Sequence, residues 1–164
     1  MAEKEIKKVI GLMSGTSCDS IDAGLCEVNP DLSVKLIHGI NYSYPEHIRA
    51  KIFSAFRGEI NIKELCQLNF AVGKCFANAA NMLIGEFGKP DLIASHGQTV
   101  YHYPFDEKLD NISLKSTLQI GEGSVIAIYL GIIFPLLNNK LKSNYVLHLK
   151  LHVFLHLYNL EDYL

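Results

Sequence analysis

Two stretches of the chain concentrate the residue types that handle anions and polyhydroxylated ligands. The first is Gly11-Leu12-Met13-Ser14-Gly15-Thr16-Ser17-Cys18-Asp19-Ser20-Ile21-Asp22. A strand that ends in glycine and small hydroxyl residues lets backbone N–H groups approach an anionic oxygen closely, and Ser or Thr hydroxyls add donors; this is the chemistry of phosphate cradling. The carboxylates of Asp19 and Asp22 follow at once and could hold Mg²⁺ through water beside such phosphates. The same composition is also ordinary turn chemistry. Neither G-x-x-x-x-G-K-[ST] nor G-x-G-x-x-G occurs.

The second stretch is Asp91-Leu92-Ile93-Ala94-Ser95-His96-Gly97-Gln98-Thr99-Val100-Tyr101-His102. Its His, Gln, Ser and Thr offer directional donors and acceptors that suit a sugar or an amide better than an apolar ligand. They could equally hydrogen-bond neighbouring loops. A hydrolase triad has no support, because G-x-S-x-G is absent. His148, His152 and His156 are spaced i, i+4, i+8 but lack a carboxylate or thiolate companion at ligand spacing.

The elements that must position these groups are legible in outline. Val9 to Met13 and Ala23 to Val28 read as strands flanking the first polar stretch, with a third strand at Val34 to Tyr42. Ser43 with Glu46 forms a capping box for a helix that sets Ile48, Ile52, Ala55 and Phe56 on one face and stops at Gly58. Asn61 with Glu64 caps a second helix, along which Leu65, Leu68, Val72, Cys75, Ala79, Met82 and Leu83 recur at helical spacing up to Gly88. Asp91 to Ser95 and Ser116 to Ile120 read as short strands, each delivering a polar loop: His96-Gly97-Gln98-Thr99 and Gly121-Glu122-Gly123-Ser124. The sum is an α/β layered domain with functional groups at strand ends.

Composition bounds the partners. The chain has 164 residues, with 15 basic against 17 acidic side chains and a net charge of −2, so no broad positive field draws in nucleic acid or anionic lipid. The four cysteines form no C-x-x-C pair and read as reduced, small core residues. Met1 to Lys8 leads into no apolar h-region, and the longest uncharged apolar stretch, Val125 to Leu137, is too short for a bilayer crossing of about 20 residues. A cytoplasmic protein without membrane or nucleic-acid partners is expected. The last 37 residues, 128–164, hold 11 leucines and no alanine, an abrupt change from residues 1–127. Between Leu147 and Leu157 strand-like alternation competes with the helical spacing of the histidines.

Three motifs in order, G-L-M-S-G-T-S-C-D-S-I-D at 11–22, D-L-I-A-S-H-G-Q-T-V at 91–100 and T-L-Q-I-G-E at 117–122, resemble the amino-terminal half of the anhydro-N-acetylmuramic acid kinase family from about Val9 to Ala127. The resemblance implies a ribonuclease-H-like lobe of the actin/hexokinase/Hsp70-like ATPase class, a mixed sheet with flanking helices. The implied activity is ATP- and Mg²⁺-dependent conversion of 1,6-anhydro-N-acetylmuramic acid to N-acetylmuramic acid 6-phosphate in cell-wall recycling. By the same resemblance Gly15, Thr16, Ser17, Cys18, Asp19, Ser20, Ile21 and Asp22 match the ATP phosphate loop, with Asp19 and Asp22 toward the metal. His96, Gln98, Thr99 and Glu122 match the sugar side.

Two departures stand out. Ser20 occupies a position that is usually glycine in the family, a strain only if its φ is positive. The family's Ser-Asp-Phe-Arg segment, whose aspartate is the base, is absent from these 164 residues, so no catalytic residue is assigned. The expectation is residues 1–127 as a first lobe and 128–164 as a divergent, non-domain tail. That describes a truncated or frameshifted copy, inactive alone, or a noncatalytic binding module, or a lobe completed by a second copy or a complementing chain.

Overall fold

The computed structural model describes residues 6–131. Five strands form one sheet in the order β3-β2-β1-β4-β5: β1 (Lys7–Ser14), β2 (Ile21–Val28), β3 (Val34–Tyr42), β4 (Leu92–Leu109) and β5 (Ile112–Ile120). β1, β2 and β3 form an antiparallel meander, β4 returns parallel to β1, and β5 is antiparallel to β4. The crossover from β3 to β4 runs through α1 (Glu46–Phe56) and α2 (Ile62–Phe87), and a short α3 (Gly123–Tyr129) follows β5.

β1 is central, and its apolar run is buried without regard to alternation: Val9, Ile10 and Leu12 all lie in the interior. Ile10 and Leu12 face α2, where Leu68, Val72, Phe76, Ala79, Ala80 and Leu83 complete the core. Met82 is exposed instead, one step off that face, and Cys66 is exposed on α2 while Cys18, Cys26 and Cys75 are buried. Phe76 is the largest fully buried side chain among the described residues; truncating it would cost about 3–5 kcal/mol.

The second cap is as expected. Asn61 Oδ1 accepts from the Glu64 N–H and Glu64 Oε2 accepts from the Asn61 N–H, an arrangement contributing about 1 kcal/mol. The first is not. Pro45 occupies the N-cap of α1 and no side chain caps it, because a proline pushes the residue before it out of helical geometry and moves the start past Ser43 and Tyr44.

The larger correction concerns β4. His96-Gly97-Gln98-Thr99 is not a loop after a short strand but lies inside an 18-residue strand. Past Val100 this strand leaves the core and pairs only with β5, forming a two-stranded ribbon that reverses at Asp110, φ 54°. Residues 132–164, including His148, His152, His156 and the alternating stretch at 147–157, lie outside the described residues. α3 carries helical structure through Tyr129, and Leu130 packs into the core. No helix among the described residues is long and apolar enough to cross a membrane.

Candidate phosphate loop and polar cavity

All three motifs fall on one latitude of the sheet. Met13 and Ser14 at the end of β1 pair with Gly97 and Gln98 of β4, Gln98 pairs with Ile120 of β5, and on the other side Met13 pairs with Asp22 of β2, itself opposite Asn41 of β3. Strand pairing alone therefore gathers groups as far apart in sequence as Met13 and Ile120.

Residues 15–20 form a tight loop whose carbonyl groups are drawn inward by side chains from three elements. The Ser14 hydroxyl donates to the Ser20 carbonyl at 2.7 Å, Gln98 Nε2 donates to the Gly15 carbonyl at 2.7 Å, and Arg49 Nε of α1 donates to the Cys18 carbonyl at 2.9 Å. The Cys18 N–H closes the turn onto Gly15 O at 3.2 Å, with Cys18 at φ 52°. Ser20 is not among the positive-φ residues, so its replacement of glycine stores no strain; the left-handed residue is Cys18. With the Gly15, Cys18 and Ser20 carbonyls occupied, Thr16 and Ser17 are exposed, and neither their N–H groups nor their hydroxyls bond to any described residue.

Electrostatics around the loop are mixed. Asp19 is exposed and pairs with Arg49 at 3.2 Å, an ion pair worth no more than about 1 kcal/mol in water. Asp22 Oδ1 accepts from Asn41 Nδ2 at 2.6 Å and from the Ser20 hydroxyl at 3.2 Å. The side chains of Cys18 and Ile21 are fully buried, so both contribute backbone only. Burial pushes the Cys18 thiol up to about 11 against the pull of Arg49. No three His, Cys, Asp or Glu side chains among the described residues cluster as metal ligands.

One strand over lies a cavity of about 360 Å³, bounded by the lower part of β4, the end of β5 and the start of α3. His96 and Glu122 line it, together with Ser95, Gln119 and Ser124. The Ser95 hydroxyl is buried with no hydrogen-bond partner. Gln98 and Thr99 are outside the lining, and so is the Gly15–Asp22 loop. Gln98 is fully buried: Nε2 also donates to the Thr99 carbonyl at 3.0 Å, and Oε1 accepts from the Tyr44 hydroxyl at 3.1 Å.

A bulge explains why neighbouring motif residues part company. Leu12 pairs with Ser95 but Met13 pairs with Gly97, so His96 is an extra residue in β4. Before it Ile93 and Ser95 lie opposite the core-facing Ile10 and Leu12; after it Gln98 lies opposite the fully buried Ser14. Gly97 sits at φ 82°, and a Cβ there would come within 2.6 Å of the Ile120 carbonyl. Only glycine fits both demands.

The cavity's far wall is fixed by a residue the sequence reading missed. Asn69 of α2 accepts from the Gly121 N–H at 2.7 Å through Oδ1, accepts from the Glu122 N–H at 3.1 Å through its carbonyl, and donates to Glu122 Oε2 at 3.2 Å. Gly73, one turn further along, lets the loop approach so closely that a Cβ would lie 2.8 Å from Glu122 O. A glycine inside a helix costs about 1 kcal/mol relative to alanine, and that penalty was the available signal of a close contact. Hydrogen bonds from the Ser124 hydroxyl and N–H, and from Asn69, hold the Glu122 carboxyl below the usual carboxylate range.

Comparison with known proteins agrees with the motif pattern. The sequence model of the anhydro-N-acetylmuramic acid kinase family matches residues 7–134. Anhydro-N-acetylmuramic acid kinase of Crocosphaera subtropica is 43% identical over 135 residues, covering 79% of this chain and 33% of that protein. The protein of the same name from Caldanaerobacter subterraneus is 43% identical over 139 residues, 79% and 35% respectively, and that of Acaryochloris marina is 46% identical over 129 residues, 76% and 33%. The chain thus spans about a third of the length of the curated relatives it matches, and it belongs to the anhydro-N-acetylmuramic acid kinase family.

Proposed function

We propose that residues 1–127 are the first, phosphate- and sugar-handling lobe of an ATP-dependent kinase that converts 1,6-anhydro-N-acetylmuramic acid to N-acetylmuramic acid 6-phosphate, working in the cytoplasm. The observation that carries this reading is the loop at 15–20: its carbonyls are tied inward at Gly15, Cys18 and Ser20, leaving Thr16 and Ser17 exposed as donors toward an anion. A meander followed by a helical crossover to a parallel strand is consistent with a ribonuclease-H-like lobe.

In this reading the backbone of Gly15 to Ile21 and the hydroxyls of Thr16, Ser17 and Ser20 cradle the ATP phosphates. Asp19 and Asp22 stand at the loop's exit. Two carboxylates beside the Ser20 hydroxyl, with the Cys18 thiol buried away from the surface, are a hard-oxygen donor set that fits Mg²⁺ retaining its waters. Magnesium supplies charge neutralisation at the phosphates. Arg49 holds Asp19 until that role is needed. His96 and Glu122 orient the sugar in the cavity, and Ser95 offers it an unused hydroxyl, while Thr99 acts through the strand backbone. The base that activates water lies outside these 164 residues, and phosphoryl transfer requires all parts held together.

The test is calorimetry with ATP–Mg²⁺ and with the anhydro sugar on the purified chain, alongside an assay for ATP-dependent phosphorylation. Binding without turnover is expected, because one wall of the cleft is present. Turnover by this chain alone would refute the assignment of the base elsewhere, and absence of any ligand binding would refute the reading of both sites. Recovery of turnover on adding the remaining two thirds of a relative would support the complementing-chain form.

A further inference from the structure

We infer that Gln98 is a positioning residue for the phosphate loop rather than a ligand of the sugar, an assignment that rests on reading residues 15–20 as the phosphate site. Its side chain is fully buried and all of its hydrogen-bonding capacity within reach is used: Nε2 donates to Gly15 O at 2.7 Å and to Thr99 O at 3.0 Å, and Oε1 accepts from the Tyr44 hydroxyl at 3.1 Å. The Gly15 carbonyl is the acceptor that also closes the turn with the Cys18 N–H, so the group that Gln98 grips is the one on which the loop's curvature depends. A carbonyl held inward leaves the N–H of the same trans peptide, that of Thr16, on the opposite side, where an anion would meet it.

An amide is the only uncharged side chain of this length that donates two hydrogen bonds and accepts a third. A carboxylate here would face two carbonyl oxygens, and a leucine would leave Gly15 O with the Cys18 N–H alone and take away the side-chain donor to Thr99 O and the amide acceptor of the Tyr44 hydroxyl. Tyr44 secures the strut from the far side, and burial holds its phenol well above its ordinary range, so it remains a donor at every pH the protein meets.

The experiment compares the full chain with Gln98→Leu by amide hydrogen exchange and by titration with inorganic pyrophosphate followed by NMR. The expected result is exchange at Thr16 to Asp19 faster by about tenfold and pyrophosphate affinity weaker by about tenfold, with protection in β1 and α2 unchanged. Gln98→Asn, which keeps the amide but ends one methylene short of Gly15, supplies the same readouts should the leucine variant not fold. Wild-type loop exchange in either folded variant would overturn the strut. If the unaltered chain fails to bind pyrophosphate, the phosphate reading falls instead, and loop exchange still decides the role of Gln98.

Discussion

From Gly97 to Val100 every residue of β4 is buried, whereas from Tyr101 to Leu109 every residue of the same strand is exposed. The inner half is gripped by β1 on one side and β5 on the other, with α2 and the 121–122 loop packed over it; the outer half has β5 alone, in a pairing interrupted between Tyr103 and Glu107. The outer ribbon nonetheless carries Tyr101, Tyr103, Phe105, Leu109, Ile112 and Leu118. Apolar composition therefore does not distinguish the two halves. What distinguishes them is the number of neighbours that restrict a position to one residue type, and those restrictions coincide with the three motifs.

That contrast can be broken at specific positions. Gly97→Ala should have the largest effect, about 2–4 kcal/mol of stability lost, since a Cβ at φ 82° meets a carbonyl that belongs to the paired strand; urea unfolding that shows less than about 0.5 kcal/mol would mean the inner half is as tolerant as the ribbon. Asn69→Ala removes two side-chain hydrogen bonds to the 121–122 loop and should cost about 1–2 kcal/mol. Its loosening should be local, visible as faster exchange at Gly121 and Glu122.

The Glu122 carboxyl adds a pH dependence of defined sign. Its folded value lies below the ordinary 4.5, so its contribution is fully present above about 4.5 and fades as pH falls through the lower, folded value. A stability-versus-pH curve should therefore be flatter for Glu122→Gln than for the unaltered chain below pH 4.5. Parallel curves would remove Glu122 from the account. The smallest effect is expected in the ribbon: Phe105→Thr, at a side chain 68% exposed, should change stability by less than about 0.5 kcal/mol, while a larger loss would show that the ribbon is packed against something.

Much of this arrangement was legible in residue order. The strands at 9–13, 23–28 and 34–42, the Asn61–Glu64 cap and the extent of α2 follow from local periodicity and turn chemistry, which act within a few residues. The loop at 15–20 was legible as a glycine- and hydroxyl-rich strand end. The misreadings have a common physical origin, in contacts between distant parts of the chain. Whether His96 to Thr99 form a loop or a strand depends on β1 and β5 as partners, and Gly97 looked like a loop glycine because its φ is positive inside a sheet. The ribbon did leave a trace, in the alternation of Ile112, Leu114, Ser116, Leu118 and Ile120 after Asp110-Asn111. Asn69, Arg49 and Tyr44 left none, being single polar residues whose importance comes from carbonyl groups and loops 31 to 54 positions away.

The extra residue at His96 makes the second motif a matter of counting as well as of chemistry. Deleting His96 would remove the bulge and leave Gln98 opposite Ser14, whereas adding one more residue between Ser95 and Gln98 in a continuous ladder would invert every later side chain of β4, turning the amide out to water and presenting Thr99 to the interior. Substitution in this segment acts on single contacts, but a change of length acts on the bulge itself, and with it on the left-handed turn of Gly97 against the Ile120 carbonyl.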